Sequence, residues 1–162
     1  MEQHTIEQIL QYASQFFGAQ DDDTQLPATQ ESFEQLLALD ERAITVQLTD
    51  EGSLISWMVS IPTSHKQMNA FLTEQITERE LFESAMLKEQ KQLEAVYLCA
   101  VFVQPEYRKQ GYGRSTVKKA VDSYMAENSD VAVYTWPWNC AGRKAVKAIA
   151  DQEGIEVVQR PS

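Results

Sequence analysis

An apolar run from Val96 to Val103 meets Pro105, passes through Arg108-Lys-Gln-Gly111-Tyr-Gly113, and enters a stretch where Val117, Ala120, Val121 and Tyr124 recur at helical spacing. No other part of the chain limits the fold so tightly, because a strand, a turn and an amphipathic helix must follow one another without interruption. Gly111 and Gly113 let backbone N–H groups approach a ligand where any Cβ would obstruct. The helix start adds unpaired N–H donors and the positive end of the helix dipole. Together these features form a seat for a phosphate or pyrophosphate.

Other phosphate loops fit this stretch poorly. A Walker A loop needs a Gly-Lys pair, and none occurs in the chain. A Rossmann loop needs a third small residue where Thr116 stands, and a first glycine tight against the strand, whereas Pro105 to Gln110 intervene before Gly111. The segment Val101-Phe-Val103-Gln-Pro105-Glu106-Tyr107-Arg108-Lys-Gln-Gly111-Tyr-Gly113-Arg114 resembles the acetyl-CoA-binding segment of the GNAT superfamily of N-acetyltransferases. The resemblance covers strand, turn, loop and following helix. The first 95 residues match only in the order of their elements.

The resemblance implies that acetyl-CoA is the acetyl-donor cosubstrate. Its pyrophosphate would lie on Arg108, Lys109, Gly111, Tyr112, Gly113, Arg114 and Ser115, and its pantetheine arm along the strand edge at Val101 and Val103. Asn139 matches a position that often contacts pantetheine; it can equally cap the helix that follows. The implied fold is α+β and GNAT-like, a mixed, mainly antiparallel sheet flanked by helices. A length of 162 residues suits one domain spanning 1–162.

The element pattern agrees. Ile6, Ile9, Leu10, Ala13, Phe16 and Phe17 stripe a helix over 6–17, ended by Gly18 and the Asp21-Asp-Asp23 run, which reads as a solvated loop. A second helix is expected over 30–39, with Ser32 and Gln35 as its capping box. Strands at 43–49 and 54–61 form a hairpin that Pro62 stops. A two-piece helical region covers 66–91, its second piece opened by a Thr77–Glu80 capping box, and a charged stretch over 88–94 leads into the central strand. After the phosphate loop come a strand at 131–136, a helix at 141–152, and a strand at 155–159, with Gly154 as the helix stop.

Composition narrows the function classes. The formal net charge of −10, from 24 acidic and 14 basic residues, argues against nucleic acid and permits a cationic acceptor. No apolar run reaches the length of a membrane span, and MEQHTIEQIL is too acidic and polar for a signal peptide, so no membrane partner and a cytoplasmic location are expected. Cys99 and Cys140 suggest no disulfide framework, and no histidine stands near Cys140 to activate it. His4 and His65 are isolated, so no metal is expected.

By the resemblance, the acceptor is the primary amine of a small molecule or peptide, attacking acetyl-CoA directly in a ternary complex. Homodimers are common in that family, so a homodimer is allowed for. Acetyl transfer needs a polarised carbonyl, a deprotonated amine and a thiolate that can leave. Glu94 and Tyr97, at the start of the central strand, are the candidate catalytic bases; their plain alternative is a surface charge and a packed aromatic. Alternation puts Tyr97 on one face with Cys99, Val101 and Val103. Many family members carry a tyrosine acid in the helix matching 141–152, which here has no Tyr, Ser or Cys. That departure keeps open an alternative, a GNAT-fold acyl-CoA-binding or regulatory module with little catalysis. Trp136 and Trp138 are candidates for one wall of an acceptor pocket, or equally for core or a partner surface; Trp57, Met58 and the loop 62–66 are the other region expected near the acceptor.

Overall fold

Five apolar or alternating segments pair into one sheet of order β1-β2-β3-β4-β5. The computed structural model describes residues 1–17, 22–87, 93–137 and 140–161, without the side chains of 16, 17 and 141. Strands β1 (Ile44–Leu48), β2 (Leu54–Thr63) and β3 (Ala95–Val103) pair antiparallel with one another, while β4 (Ala132–Thr135) pairs parallel with β3 and β5 (Val157–Gln159) parallel with β4. The sheet is therefore mixed, and its two antiparallel ladders are the long ones.

Helices cover both faces. On one lie α1 (Gln3–Phe17), α2 (Gln30–Leu39), α3 (His65–Leu72) and α4 (Glu78–Met86); on the other lie α5 (Tyr112–Met125) and α6 (Cys140–Glu153). The first core joins Ile9, Phe33, Leu36, Phe71 and Leu81 to Trp57, Val59, Ile61, Tyr97 and Tyr134 of the strands. The second joins Val117, Ala120, Val121 and Tyr124 of α5 to Met58, Val96, Leu98 and Val133. Among the described residues no helix is long and apolar enough to cross a membrane.

Several local expectations need correction. Helix α2 is capped by Thr29, whose side chain accepts from the Ser32 N–H, so the box is Thr29–Ser32 and not Ser32–Gln35. Pro62 does not stop β2; it sits in the ladder opposite Val96, and the strand ends at Thr63. Helix α6 begins at Cys140, one residue early. The Thr77–Glu80 box is present, and Gly154 takes φ 64° after α6 as expected. Gly18, Asp21 and most of the 88–94 stretch lie outside the described residues.

Candidate active site

The central strand changes partners halfway along. Ala95 to Leu98 pair with Ala132 to Thr135 of β4, and the Thr135 hydroxyl donates to the Leu98 carbonyl at 2.8 Å. Beyond Leu98, β3 continues to Val103 paired only with β2 among the described residues, so its other edge opens. On the β2 side Val59 faces Ala100 and Ser60 faces Leu98, which leaves Cys99 as the extra residue of a β-bulge.

The bulge overturns the expected alternation. Tyr97 packs with Ile61 and Phe102 with Trp57 on the α1–α4 side, whereas Val101 lies opposite Met58 of the second core. Val103 touches the α5 side, because a Cβ built on Gly113 would meet its Cγ2 at 3.4 Å. Tyr97 and Cys99 therefore face one side of the sheet, and Val101 and Val103 the other.

Past Val103 the chain makes a single 3-10 turn, Pro105–Tyr107, and reaches α5 through two residues at positive φ, Lys109 (61°) and Gly111 (87°). Lys109 pays the steric penalty of that region, which Gly111 does not. Gly111 is the N-cap of α5 and no side chain caps the helix among the described residues, so the first-turn amides of Tyr112, Gly113 and Arg114 keep their donors. Arg108 turns back, its Nε donating to the Val103 carbonyl at 3.1 Å. Arg114 is drawn toward α6, donating to Gln152 at 2.8 Å and facing Glu153 at 3.5 Å. Ser115 accepts from Gln47 at 2.8 Å, and the Tyr112 ring meets Tyr107 edge-on. The expected phosphate residues thus share one loop, with Arg108 and Arg114 already engaged by protein groups. Asn139 and Trp138 lie outside the described residues.

A cavity of about 410 Å³ lies beside the gap between β3 and β4 and is lined by residues from both faces of the sheet. On the α5–α6 side its walls include Val101, Val117, Ala145 and Ile149; on the other side they include Trp57, Phe33, Leu26 and Glu78. Trp57, Met58 and Trp136 line it as expected, while the segment 62–66 does not.

Neither expected base reaches this cavity. Glu94 accepts from the His65 amide at 2.9 Å, at the far end of β3. Tyr97 is fully buried and its hydroxyl donates to Glu78 Oε1 at 2.7 Å. Burial first, and the Glu78 carboxylate second, push the Tyr97 phenol well above its ordinary range, and the same two causes push up the Cys99 thiol. Both therefore remain proton donors.

Glu78 is the residue that sequence reasoning missed. It is only 3% exposed, yet it is one of the residues that line the cavity. Oε2 accepts from the Leu26 amide at 2.8 Å, and Oε1 from Tyr97 and, at 3.4 Å, from Cys99. Its place in the first turn of α4, directly after the Thr77 cap, adds the favourable end of the helix dipole. The available signal was the Thr77–Glu80 box, which puts Glu78 first in a helix; an acid there reads as an ordinary surface charge.

The chain belongs to the acetyltransferase (GNAT) family, whose sequence model matches residues 6–149. The five-stranded mixed sheet between two helical layers is the family's fold. No curated protein matches the chain by sequence. Solved structures similar to it include the aminoglycoside N-acetyltransferase AAC(6')-Iy in complex with CoA, at 16% identity and a TM-score of 0.44, over 74% of this chain and 82% of that one. Naa20 from Chaetomium thermophilum, in complex with a bisubstrate analogue, is similar at 14% identity and a TM-score of 0.48, over 88% and 66%. A point mutant of the BH1408 protein from Bacillus halodurans is similar at 18% identity and a TM-score of 0.45, over 92% and 81%.

Proposed function

We propose that this acetyltransferase is an N-acetyltransferase, moving the acetyl group of acetyl-CoA to a primary amine of a small molecule or peptide. The observation that carries this reading is continuity: the open edge of β3 leads directly into the uncapped start of α5, and one cavity, lined from both faces of the sheet, lies beside that edge. The pyrophosphate would accept hydrogen bonds from the amides of Gly111 to Arg114, and the pantetheine arm would pair along Val101 to Val103. The thioester then reaches the gap, where free backbone N–H groups of β3 polarise its carbonyl.

The amine nitrogen attacks the carbonyl carbon, the C–S bond breaks, and the electron pair leaves with sulfur. An ammonium substrate gives up two protons in all, one restoring the CoA thiol and one passing to solvent. Holding both partners on opposite sides of one gap supplies much of the rate. A single domain over 1–162 and a cytoplasmic location fit this reading.

A second reading rests on α6. The residues it contributes to the cavity wall, Gly142, Ala145, Val146 and Ile149, include no proton donor for the departing sulfur. This favours a module that binds acyl-CoA and transfers slowly. Calorimetric titration with acetyl-CoA, with NADH and ATP as controls, tests the shared part of both readings. Selective acetyl-CoA binding that is lost in Gly111→Val is expected, since a β-branched residue resists the φ of 87° found there. Unchanged binding in that variant would remove the loop assignment. Tight binding without product across a broad amine panel would select the second reading.

A further inference from the structure

Among the described residues the Glu78 carboxylate forms no ion pair. Its three donors, the Leu26 amide, the Tyr97 hydroxyl and the Cys99 thiol, are all neutral. Every ion pair among the described residues involves other acids: Asp40, Asp122, Glu127, Asp151 and Glu153. A carboxylate taken out of water is normally matched by a positive charge. Two carboxylate oxygens offer about four acceptor positions, so one beyond the three in use is open. Gln25, in the same wall, holds a second unused acceptor: its Nε2 donates to Asp22 at 2.7 Å, while its buried Oε1 has no partner among the described residues.

The surroundings of these two acceptors are apolar. Ala13, Leu26, Ala28, Phe33 and Trp57 form the wall on their side of the sheet. Such a wall receives hydrocarbon readily and penalises every hydroxyl or second charge that arrives without a partner.

Resting on the N-acetyltransferase reading, we propose that the acceptor is a primary monoamine on an apolar body, an alkylamine or arylalkylamine, held as its ammonium against Glu78 and Gln25. Glu78 then takes one proton from that ammonium, freeing the nitrogen lone pair for attack on the thioester carbonyl. Tyr97 and Cys99 are positioning residues, holding the carboxylate at the gap. Polyamines and aminoglycosides do not suit the site, because their further amino and hydroxyl groups would be stranded against the apolar wall.

The test compares hexylamine and 2-phenylethylamine with spermidine and kanamycin on the intact protein, reading release of the CoA thiol, while calorimetry reads acetyl-CoA binding separately. The expected result is a kcat/KM for the apolar monoamines at least roughly ten-fold above the polycations. Glu78→Gln should lower kcat/KM for 2-phenylethylamine roughly 100-fold with acetyl-CoA affinity retained; Glu78→Asp should restore part of the rate. The wild-type panel keeps the test valid if Glu78→Gln fails to fold. Spermidine or kanamycin turned over as well as the monoamines would overturn the acceptor class and leave the cofactor reading standing. So would acetyl-CoA binding with no product from any amine. Loss of acetyl-CoA binding altogether in the wild type would instead remove the N-acetyltransferase reading, and this inference with it.

Discussion

Tyr97 has one hydroxyl proton to donate, and Glu78 Oε1 receives it at 2.7 Å inside the core. Such a residue is a poor base, since burial and the neighbouring carboxylate both hold the proton on the phenol. Its contribution is to the carboxylate: a hydrogen bond to a charged acceptor stabilises by about 1.5–3 kcal/mol, more than a neutral one. Tyr97→Phe keeps the ring contacts with Phe71 and Tyr134 and removes only that bond. We expect a loss of about 2 kcal/mol in urea denaturation, with unchanged slope. An unchanged midpoint would show that the Glu78 carboxylate does not depend on this donor.

At the scale of elements, Glu78 is held in place by a helix cap. Thr77 accepts from the Glu80 amide at 3.1 Å, its own N–H donates to Glu80 at 2.7 Å, and Glu78 stands between them. Thr77→Ala should cost about 1 kcal/mol, as cap removals do. It should also speed hydrogen exchange at the Leu26 amide, whose only acceptor among the described residues is Glu78, 52 residues away. Ser64→Ala removes the comparable cap of α3 and should cost a similar amount without touching Leu26. Equal Leu26 exchange in the two variants would contradict this picture. The same contrast shows what the sequence could reveal. The loop from Arg108 to Gly113 and the order of elements were legible because each signal is local: glycines beside a helix start, apolar spacing, Thr77 three residues before Glu80. The face of Val101 was not, because the extra residue at Cys99 exists only relative to β2. Glu78 was not, because its meaning comes from Leu26, Tyr97 and Cys99, brought to it by two segments distant in sequence, the one before α2 and β3. Pro62 misled for a related reason, being tolerated in a ladder whose neighbours it does not disrupt.

Across the whole molecule, three buried phenols tie separate elements together. Tyr97 joins β3 to α4 through Glu78, Tyr124 joins α5 to β2 through Ser60 at 3.0 Å, and Tyr134 reaches from β4 across β3 to Thr63 at 2.8 Å. Burial is the first cause raising all three above their ordinary value of 10.0, and Cys99 is raised above 9.0 in the same way. These groups keep their protons in the folded chain at a pH where the unfolded chain has lost them. The folded state then binds more protons than the unfolded one, so stability must fall as pH rises. The stabilisation is fully present below the ordinary values and declines from about pH 9 upward. Each phenol contributes a slope of about 1.4 kcal/mol per pH unit, so the three together approach about 4 kcal/mol per unit above pH 10. Urea midpoints measured from about pH 8 to about pH 11 should therefore be level at first and then drop steeply. Tyr134→Phe should give a shallower drop, because one of the three titrating phenols is gone. A level midpoint through the whole range would mean that the phenols ionise alike in both states, and that the two cores are not closed around them.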